Sequence, residues 1–179
     1  LFIAANNIRG KRKISFSIVR YGNVMSSRGS VIPTFINSKK SGTLFVTDDR
    51  MTRFNITLLE SVKMVEWSFK NSIGGEIFVP KIPSYKILDL AKAICPKCRI
   101  KNIGIRTGEK LHEELVSIGE SQNTIETKDY YVILPSLTNF YLRYFKSKLK
   151  AKKVSKEFSY RSDKNKFLSI EEIRNLIKH

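Results

Sequence analysis

The sequence contains few of the features that mark membrane-spanning or disulfide-rich proteins. Cysteine accounts for only 2 of its 179 residues. It has no apolar run of roughly 18 residues, the length that a membrane-spanning helix needs. We expect no secretory signal peptide, because the apolar start at Leu1 is interrupted by Asn6 and Asn7. Since the first residue is not methionine, we expect the chain to be part of a longer one, without a membrane segment of its own.

The two cysteines form the short motif Cys95-Pro-Lys-Cys98. A structural zinc site needs four ligands, and neither His112 nor His179 has the spacing to supply a second pair. A redox role would need a thioredoxin-like context, which the surrounding sequence does not provide. The motif therefore predicts two free thiols at a helix end, no metal site and a reducing, cytoplasmic location.

Acidic residues are also scarce, with 16 Asp and Glu against 33 Lys and Arg, for a net charge of +17. A charge of this size fits either a polyanionic partner or a lysine-rich solvated surface. The lysines are scattered through most predicted elements, and no nucleic-acid-binding motif occurs. We therefore expect no nucleic-acid partner, and a basic nucleic-acid-binding module is retained as the alternative from a different class.

Hydrophobic residues make up 41% of the chain, which is enough for a core. Strand patterns alternate with helix patterns, which is typical of an α/β protein. The end of a helix is predicted at 1–7, helices at 31–37, 57–73, 84–94, 109–116 and 169–177, and strands at 14–19, 44–46, 76–79, 99–105 and 130–134. The segment 146–156 is predicted to be a basic, weakly structured connector.

Helix-start signals and periodicity support three of these helices. Ser169 and Glu172 have the spacing of a capping box, as do Thr57 and Glu60. The helix at 57–73 carries an apolar stripe at helical spacing. The helix at 84–94 has a second stripe. The stripes consist of Leu58, Val62, Val65 and Phe69, and of Ile87, Leu90, Ala91 and Ile94.

Three loops that follow predicted strands each carry an arginine: Arg28, Arg53 and Arg106. Open α/β sheets bind ligands at the carboxyl ends of their strands, and arginine matches phosphate geometry. Three arginines meeting at one edge would suit a pyrophosphate, and Glu109 could accept hydrogen bonds from ribose hydroxyls. Each loop alone also fits an ordinary polar turn. The chain has neither a glycine-rich dinucleotide loop nor a Walker loop.

Six segments together resemble one family, the inverting UDP-N-acetylglucosamine 4,6-dehydratases of the extended short-chain dehydrogenase/reductase superfamily. The segments are RYGNVMSSRGSVIPTF, TDDRMTRFNIT, GGEIFVPKIPSYKILDLA, IGIRTGEKLHEEL, DYYVILP and FSYRSD. The resemblance extends from Leu1 to about the last helix and is weakest from Thr138 to Glu157. It implies a lyase of nucleotide-sugar and surface-polysaccharide biosynthesis, with a related UDP-sugar 4-epimerase as the alternative enzyme.

The resemblance implies a C-terminal fragment: the end of a Rossmann-type parallel sheet plus a smaller substrate-binding lobe. Residues 1–41 would end the Rossmann domain and include the substrate loop, 42–145 would form the lobe, and 146–179 would hold the connector and last helix. The catalytic Tyr and Lys and most of the NADP site would lie upstream of Leu1. The fragment would therefore contain no catalytic residue and be inactive alone, and the full-length protein would be a homo-oligomer.

The resemblance also assigns binding residues. Val24 would contact the nicotinamide side of NADP. UDP-N-acetylglucosamine would be bound by Asn23, Arg28, Gly29, Ser30, Val31, Ile32, Pro33, Thr47, Arg53, Arg106 and Glu109. In the implied reaction, NADP takes hydride from C4 of the sugar, water is eliminated across C5 and C6, and the hydride returns to C6 with inversion at C5.

Overall fold

A computed structural model describes residues 2–27, 29–135 and 139–177. The helices are α1 (Phe2–Ile8), α2 (Val31–Ser38), α3 (Leu58–Asn71), α4 (Ile87–Ile94), α5 (Ile118–Ser121), α6 (Asn139–Leu149) and α7 (Ile170–Ile177), with short 3-10 helices at Lys39–Ser41 and Ser162–Lys164. The strands are β1 (Ile18–Val19), β2 (Asn23–Val24), β3 (Thr43–Val46), β4 (Thr52–Ile56), β5 (Ile77–Pro80), β6 (Ser84–Lys86), β7 (Arg99–Asn102), β8 (Glu114–Val116), β9 (Thr124–Glu126), β10 (Tyr130–Ile133), β11 (Lys152–Lys153) and β12 (Tyr160–Arg161). The predicted α/β class is confirmed, since parallel pairs join β1 to β5, β2 to β4 and β3 to β7. No described helix has the length and hydropathy needed to cross a bilayer.

The chain forms two compact units. Unit 1 comprises Leu1–Tyr21, Leu59–Lys81 and Leu115–Tyr160, and unit 2 comprises Gly22–Leu58, Ile82–Glu114 and Arg161–His179. The predicted ranges 1–41, 42–145 and 146–179 are contiguous, whereas each unit is assembled from three separate segments. The chain thus passes repeatedly from one unit to the other. Local composition did not indicate where these crossings occur.

Unit 1 is built on a five-stranded sheet with the order β1-β5-β10-β9-β11. Only the β1–β5 pair is parallel, and the other pairs are antiparallel. The core contains the fully buried Phe78 and Phe145 together with Met64. Trp67 stacks on Tyr130 with ring centroids 4.0 Å apart. Aromatic and aliphatic side chains from α3 and α6 thus join those of the sheet in one core.

The predicted strand at 14–19 is reduced to its last part, Ile18–Val19, and the Asn6 side chain hydrogen-bonds to the backbone of Phe16 before it. The Asn6 amide donates to the Phe16 carbonyl at 2.8 Å, and its oxygen accepts from the Phe16 N–H at 3.0 Å. The Phe16 carbonyl also accepts from the Gly75 N–H at 2.7 Å, so the Asn6 side chain takes the place of a backbone partner only at the Phe16 N–H. Ile14 is 48% exposed, so the buried apolar strand expected at this end is wrong.

The helix predicted at 57–73 is present as α3, but its buried face differs from the apolar stripe. Val62 and Val65 are each 47% exposed, and Phe69 is 85% exposed. The buried residues are Ser61, Met64, Ser68 and Asn71. Small serine side chains let a helix approach its neighbours closely, so packing decides the buried face here rather than hydrophobicity.

The predicted connector at 146–156 is also wrong. Residues up to Leu149 continue helix α6, and Lys152–Lys153 form strand β11 at the edge of the sheet. Phe145, one residue before the predicted connector, is fully buried and holds the helix in the core of unit 1. The high lysine content of this segment thus reflects its exposed faces rather than a lack of structure.

Unit 2 contains the parallel pair β3–β7 and the three-stranded sheet β2-β4-β6. Its core includes Phe35 of α2, Leu44 of β3, Leu90 of α4 and Ile173 of α7. The predicted apolar face of α4 is confirmed, since all four of its residues are buried. The capping box of α7 is confirmed as well: the Ser169 N–H donates to the Glu172 carboxylate at 2.7 Å, and the Glu172 N–H to the Ser169 hydroxyl at 3.2 Å.

Two local predictions in unit 2 are wrong. The segment predicted as a helix at 109–116 is extended, because the Leu111 carbonyl accepts from Thr52 N–H at 3.1 Å and the Glu113 carbonyl from Ser162 N–H at 2.9 Å. Cys95 and Cys98 form a disulfide instead of two free thiols. Their Cα atoms are 5.4 Å apart because a turn follows the end of α4.

Candidate functional site

A cavity of about 450 Å³ in unit 2 brings most of the predicted binding residues together. Those that line it are Asn23, Val24, Gly29, Ser30, Val31, Ile32, Thr47, Arg53, Arg106 and Glu109. Pro33 is not part of the lining. Arg28 lies outside the residues that the structure describes. Residues that are widely separated in the sequence, from three different strand-end loops, therefore surround one space.

The first wall of the cavity is the loop from β2 to α2, and Gly22 directly precedes β2. A Cβ atom on Gly22 would lie 2.4 Å from the Phe54 Cβ. This glycine is therefore required for the close approach of β2 to β4. Gly29 has a φ of +75°, which glycine adopts without strain.

Helix α2 starts directly at the cavity. Ser30 is its N-cap in extended conformation, yet its side chain makes no capping hydrogen bond. The Ser30 hydroxyl is buried and has no hydrogen-bond partner among the described residues. The first N–H groups of a helix have no intrahelical partner and carry a partial positive charge, which favours anions.

Arg53 of β4 is held rigidly beside this helix end. Its guanidinium donates to the Thr52 carbonyl at 2.8 Å and the Leu111 carbonyl at 3.0 Å, and its side chain is only 12% exposed. Two carboxylates, those of Glu109 and Glu113, lie 3.8 Å from its other nitrogens. The hydrogen bonds to the two backbone carbonyls thus fix the orientation of the Arg53 guanidinium, so this side chain is already ordered before a ligand binds.

The opposite wall is the turn Arg106-Thr-Gly-Glu109, which follows β7. The Glu109 N–H donates to the Arg106 carbonyl at 3.0 Å. Gly108 has a φ of +83°, which a type II turn requires at its third position. The turn directs the Glu109 carboxylate to the Thr47 hydroxyl, 3.4 Å away, at the end of β3. Because β3 and β7 are parallel, their carboxyl ends meet at this place.

Behind Asn23 lies a carboxylate that the sequence analysis did not single out. Glu113 accepts from the Phe54 N–H at 2.9 Å and from the Asn23 side-chain amide at 3.1 Å. Burial raises the pKa of Glu113 above its usual range, and the hydrogen bond from Phe54 and the charge of Arg53 offset this only in part. Burial, aided by the charge of Glu113, raises the pKa of Tyr85 to about 12. Tyr85, which also lines the cavity, therefore stays a neutral phenol.

A buried network of polar side chains hydrogen-bonds to the backbone of Glu113. The Ser162 hydroxyl accepts from the Glu113 N–H at 2.8 Å and lies 2.7 Å from the Thr52 hydroxyl, which in turn is 2.9 Å from Nδ1 of His112. Ser162 is fully buried. These residues belong to the segments IGIRTGEKLHEEL, TDDRMTRFNIT and FSYRSD, so the similarity of the segments was the one signal that pointed to them.

The arrangement suits recognition of an anion that carries hydroxyl groups. A fixed guanidinium, a helix N-terminus and a second arginine, Arg106, surround the same cavity that Glu109 and Thr47 line. Over residues 2–27, 29–135 and 139–177, no group of three or more His, Cys, Asp or Glu side chains could hold a metal ion. The residues that line the cavity offer two guanidinium groups and several hydrogen-bonding side chains to a hydroxyl-bearing anion.

Comparisons with known proteins show which family the chain belongs to. Residues 1–135 match the family model described as "Polysaccharide biosynthesis protein". The chain is 46% identical over its whole length to an inverting UDP-N-acetylglucosamine 4,6-dehydratase of Campylobacter jejuni, of which it covers 56%. It is 40% identical, over 99% of its length, to a UDP-glucose 4-epimerase of Rickettsia rickettsii, of which it covers 53%.

A solved structure is also similar. The X-ray structure of Pen from Bacillus thuringiensis matches with a TM-score of 0.85 and 36% identity, over 99% of this chain and 54% of that one. The chain thus spans about half the length of the relatives it matches. Since the family model covers three quarters of the sequence, the chain belongs to the polysaccharide biosynthesis protein family and is related to its inverting UDP-N-acetylglucosamine 4,6-dehydratases.

Proposed function

We propose that this chain is the UDP-sugar-binding part of an NADP-dependent, inverting UDP-N-acetylglucosamine 4,6-dehydratase, a lyase of surface-polysaccharide biosynthesis. The observation that carries the proposal is the single cavity that gathers Arg53, Arg106, Glu109 and the N-terminus of α2. The 46% identity to the Campylobacter jejuni dehydratase supports the substrate assignment.

The binding groups have separate roles in this proposal. Arg53 and Arg106 bind the pyrophosphate, and the free N–H groups at the start of α2 add to the positive potential there. Glu109 accepts hydrogen bonds from the ribose hydroxyls, while Thr47 lies beside the uridine. Asn23 binds the sugar, since its side-chain amide N–H is already donated to Glu113 and its oxygen is left as an acceptor for a sugar hydroxyl or amide.

The loop completes the enclosure of the sugar. Gly29, Ser30, Val31 and Ile32 line the cavity, and the proposal places them around the UDP-sugar together with Arg28 and Pro33. Val24 is the residue assigned to NADP, whose chemistry is hydride transfer. We propose that Val24 contributes only a small part of the NADP site, and we assign this chain no step of the hydride chemistry. A cytoplasmic location and a homo-oligomeric full-length protein remain predictions.

The binding proposal can be tested by titrating the chain with UDP-N-acetylglucosamine in a calorimeter. Replacing Arg106 with Gln should weaken binding by about 10-fold or more, since a charge-assisted hydrogen bond contributes about 1.5–3 kcal/mol. Arg161→Gln is the matched control, because Arg161 is paired with Asp163 and does not line the cavity. Equal affinity losses in the two variants would contradict the site assignment.

The reaction itself has one competing assignment, suggested by the 40% identity to the Rickettsia rickettsii epimerase. Product analysis by NMR on the full-length protein separates the two. A 4-keto-6-deoxy sugar inverted at C5 supports the dehydratase. A product that retains its 6-hydroxyl and differs only at C4 would establish the epimerase instead.

A further inference from the structure

The excess positive charge of the chain includes one dense cluster that the UDP-sugar cavity does not use. Between 139 and 156 the sequence contains no Asp or Glu, and its cations are Arg143, Lys146, Lys148, Lys150, Lys152, Lys153 and Lys156. Helix α6 and strand β11 order this segment within unit 1. The cations of this segment are therefore carried by ordered secondary structure.

Four of these cations surround a second cavity, of about 370 Å³. We define the basic patch as Arg143, Lys146, Lys152 and Lys153. Arg143 and Lys146 are three residues apart on α6 and so lie on the same side of the helix. All four side chains are exposed, and none forms a salt bridge or a side-chain hydrogen bond with another described residue.

The carboxylate nearest in the sheet is already paired elsewhere. Glu126 lies opposite Lys152 in the β9–β11 ladder, but it forms a salt bridge of 2.7 Å with Lys81. Lys148, by contrast, donates to the Lys70 carbonyl and to the Tyr144 hydroxyl, so it is not counted in the patch. The basic patch thus keeps its charge available for an anion from outside the chain.

The floor of the second cavity is apolar. Ile125, Leu142 and Ala151 line it together with the basic patch, and Asn139 is its one uncharged polar residue. On the next turn of the surface, Phe140 is 66% exposed and lines a further depression beside Arg143. Exposed aromatic and aliphatic groups flanked by lysine and arginine are the composition of surfaces that rest on anionic membranes.

We infer that the basic patch binds the phosphate headgroups of an anionic membrane, with the apolar floor and Phe140 facing the boundary between headgroups and acyl chains. A nucleic acid is a poorer fit, since an aliphatic floor offers almost no hydrogen-bond partners for base edges. This inference goes beyond UDP-sugar binding and does not depend on it, because the two cavities belong to different units.

The test is partitioning of the chain onto vesicles, measured by co-sedimentation. Vesicles of phosphatidylcholine alone are compared with an equal mixture of phosphatidylcholine and phosphatidylglycerol. The chain should bind the mixed vesicles strongly and the neutral ones weakly, and binding should fall as salt is added. Equal binding to both compositions would overturn the inference, as would binding to neither.

Matched variants locate the site. Lys146→Gln with Lys153→Gln should lower partitioning about 25-fold, since each lysine near an anionic surface contributes about fivefold. Lys92→Gln with Lys97→Gln makes the same change in net charge at exposed positions outside the patch and should have little effect. Circular dichroism verifies that both double variants are folded. Equal losses in the two would show that overall charge, not the patch, is responsible, and would overturn the inference.

Competition identifies the source of the phosphate. Inorganic phosphate and chloride are each added to vesicle-bound chain at the same ionic strength. Phosphate should displace the chain no better than chloride, because a membrane surface presents many headgroups and apolar contact at once. If inorganic phosphate displaces the chain from vesicles, the cavity is a site for a free anion and the membrane assignment is wrong. If random DNA binds more tightly than mixed vesicles and the Lys146/Lys153 variant loses that binding, the patch is a nucleic-acid surface instead.

Discussion

The Gly22→Ala substitution tests the packing on which the UDP-sugar cavity depends. The added Cβ would lie 2.4 Å from the Phe54 Cβ and 3.2 Å from the backbone carbon and oxygen of Phe54. None of these atoms belongs to the flexible end of a side chain, so relief requires β2 to move away from β4. Overpacking of this kind costs about 1–3 kcal/mol of unfolding free energy.

The displacement should be measurable at a particular amide. The Met25 N–H donates to the Ile56 carbonyl at 2.9 Å, directly after the short β2–β4 ladder. In Gly22→Ala this amide should exchange with solvent faster by about 5- to 150-fold, the factor that corresponds to that loss of free energy. UDP-N-acetylglucosamine binding should weaken as well, because Asn23 is the next residue.

Two controls show whether the reasoning is correct. Gly119→Ala adds a Cβ with no atom within 4 Å, in helix α5, so it should be neutral or stabilise the chain by about 0.5–1 kcal/mol. Adding Phe54→Ala to Gly22→Ala should give no rescue, since the clash involves the Cβ and the backbone, which alanine retains. If Gly22→Ala leaves Met25 exchange unchanged, the close approach of β2 to β4 is refuted.

Two further predictions concern carboxylates. Burial raises the pKa of Glu113, so ionisation of this carboxyl opposes folding. The unfolding free energy of wild type relative to Glu113→Gln should therefore be highest below the ordinary glutamate pKa of 4.5. It should fall as the pH rises through the raised pKa. Urea denaturation at a series of pH values measures this, and a relative stability that rises with pH would contradict it. Glu76 is fully buried and accepts from the Ser17 hydroxyl at 2.7 Å, the Ile73 N–H at 2.9 Å and the Gly74 N–H at 3.0 Å. Glu76→Gln replaces an acceptor with a donor and should cost about 1–3 kcal/mol in the same assay, whereas the exposed Glu66→Gln should change little.

Features of the fold that depend on neighbouring residues were predictable from the sequence. The capping box at Ser169 and Glu172 involves atoms only three residues apart, and the apolar stripe of α4 is strongly one-sided. The face of α3 was not predictable in this way. Ser61 and Ser68 are buried there while Val62, Val65 and Phe69 are exposed, and the buried side of a helix is decided by residues elsewhere in the chain.

The candidate site likewise contains some residues that the sequence could predict and others that it could not. The turn that carries Arg106 could be found because it follows a strand, and parallel strand ends converge at one edge. Arg53 was expected in a loop but lies in strand β4, although it does line the cavity. Tyr85 and Glu113 could not be found by this route, since what distinguishes them is burial and contact with Asn23 and Phe54. The role of Gly22 could not be found either, because the nearness of Phe54 appears only once β2 pairs with β4.

The hydrogen bond between the Ser162 and Thr52 hydroxyl groups has a consequence for folding during synthesis. It joins residues 110 positions apart, and the core of unit 2 also needs Ile173 from α7. A ribosome that has already made the residues lining the UDP-sugar cavity must therefore still add more than fifty others before unit 2 can close around them. Until then Thr52 and the Glu113 N–H lack their partner, so the nascent chain carries the binding residues well before it can bind.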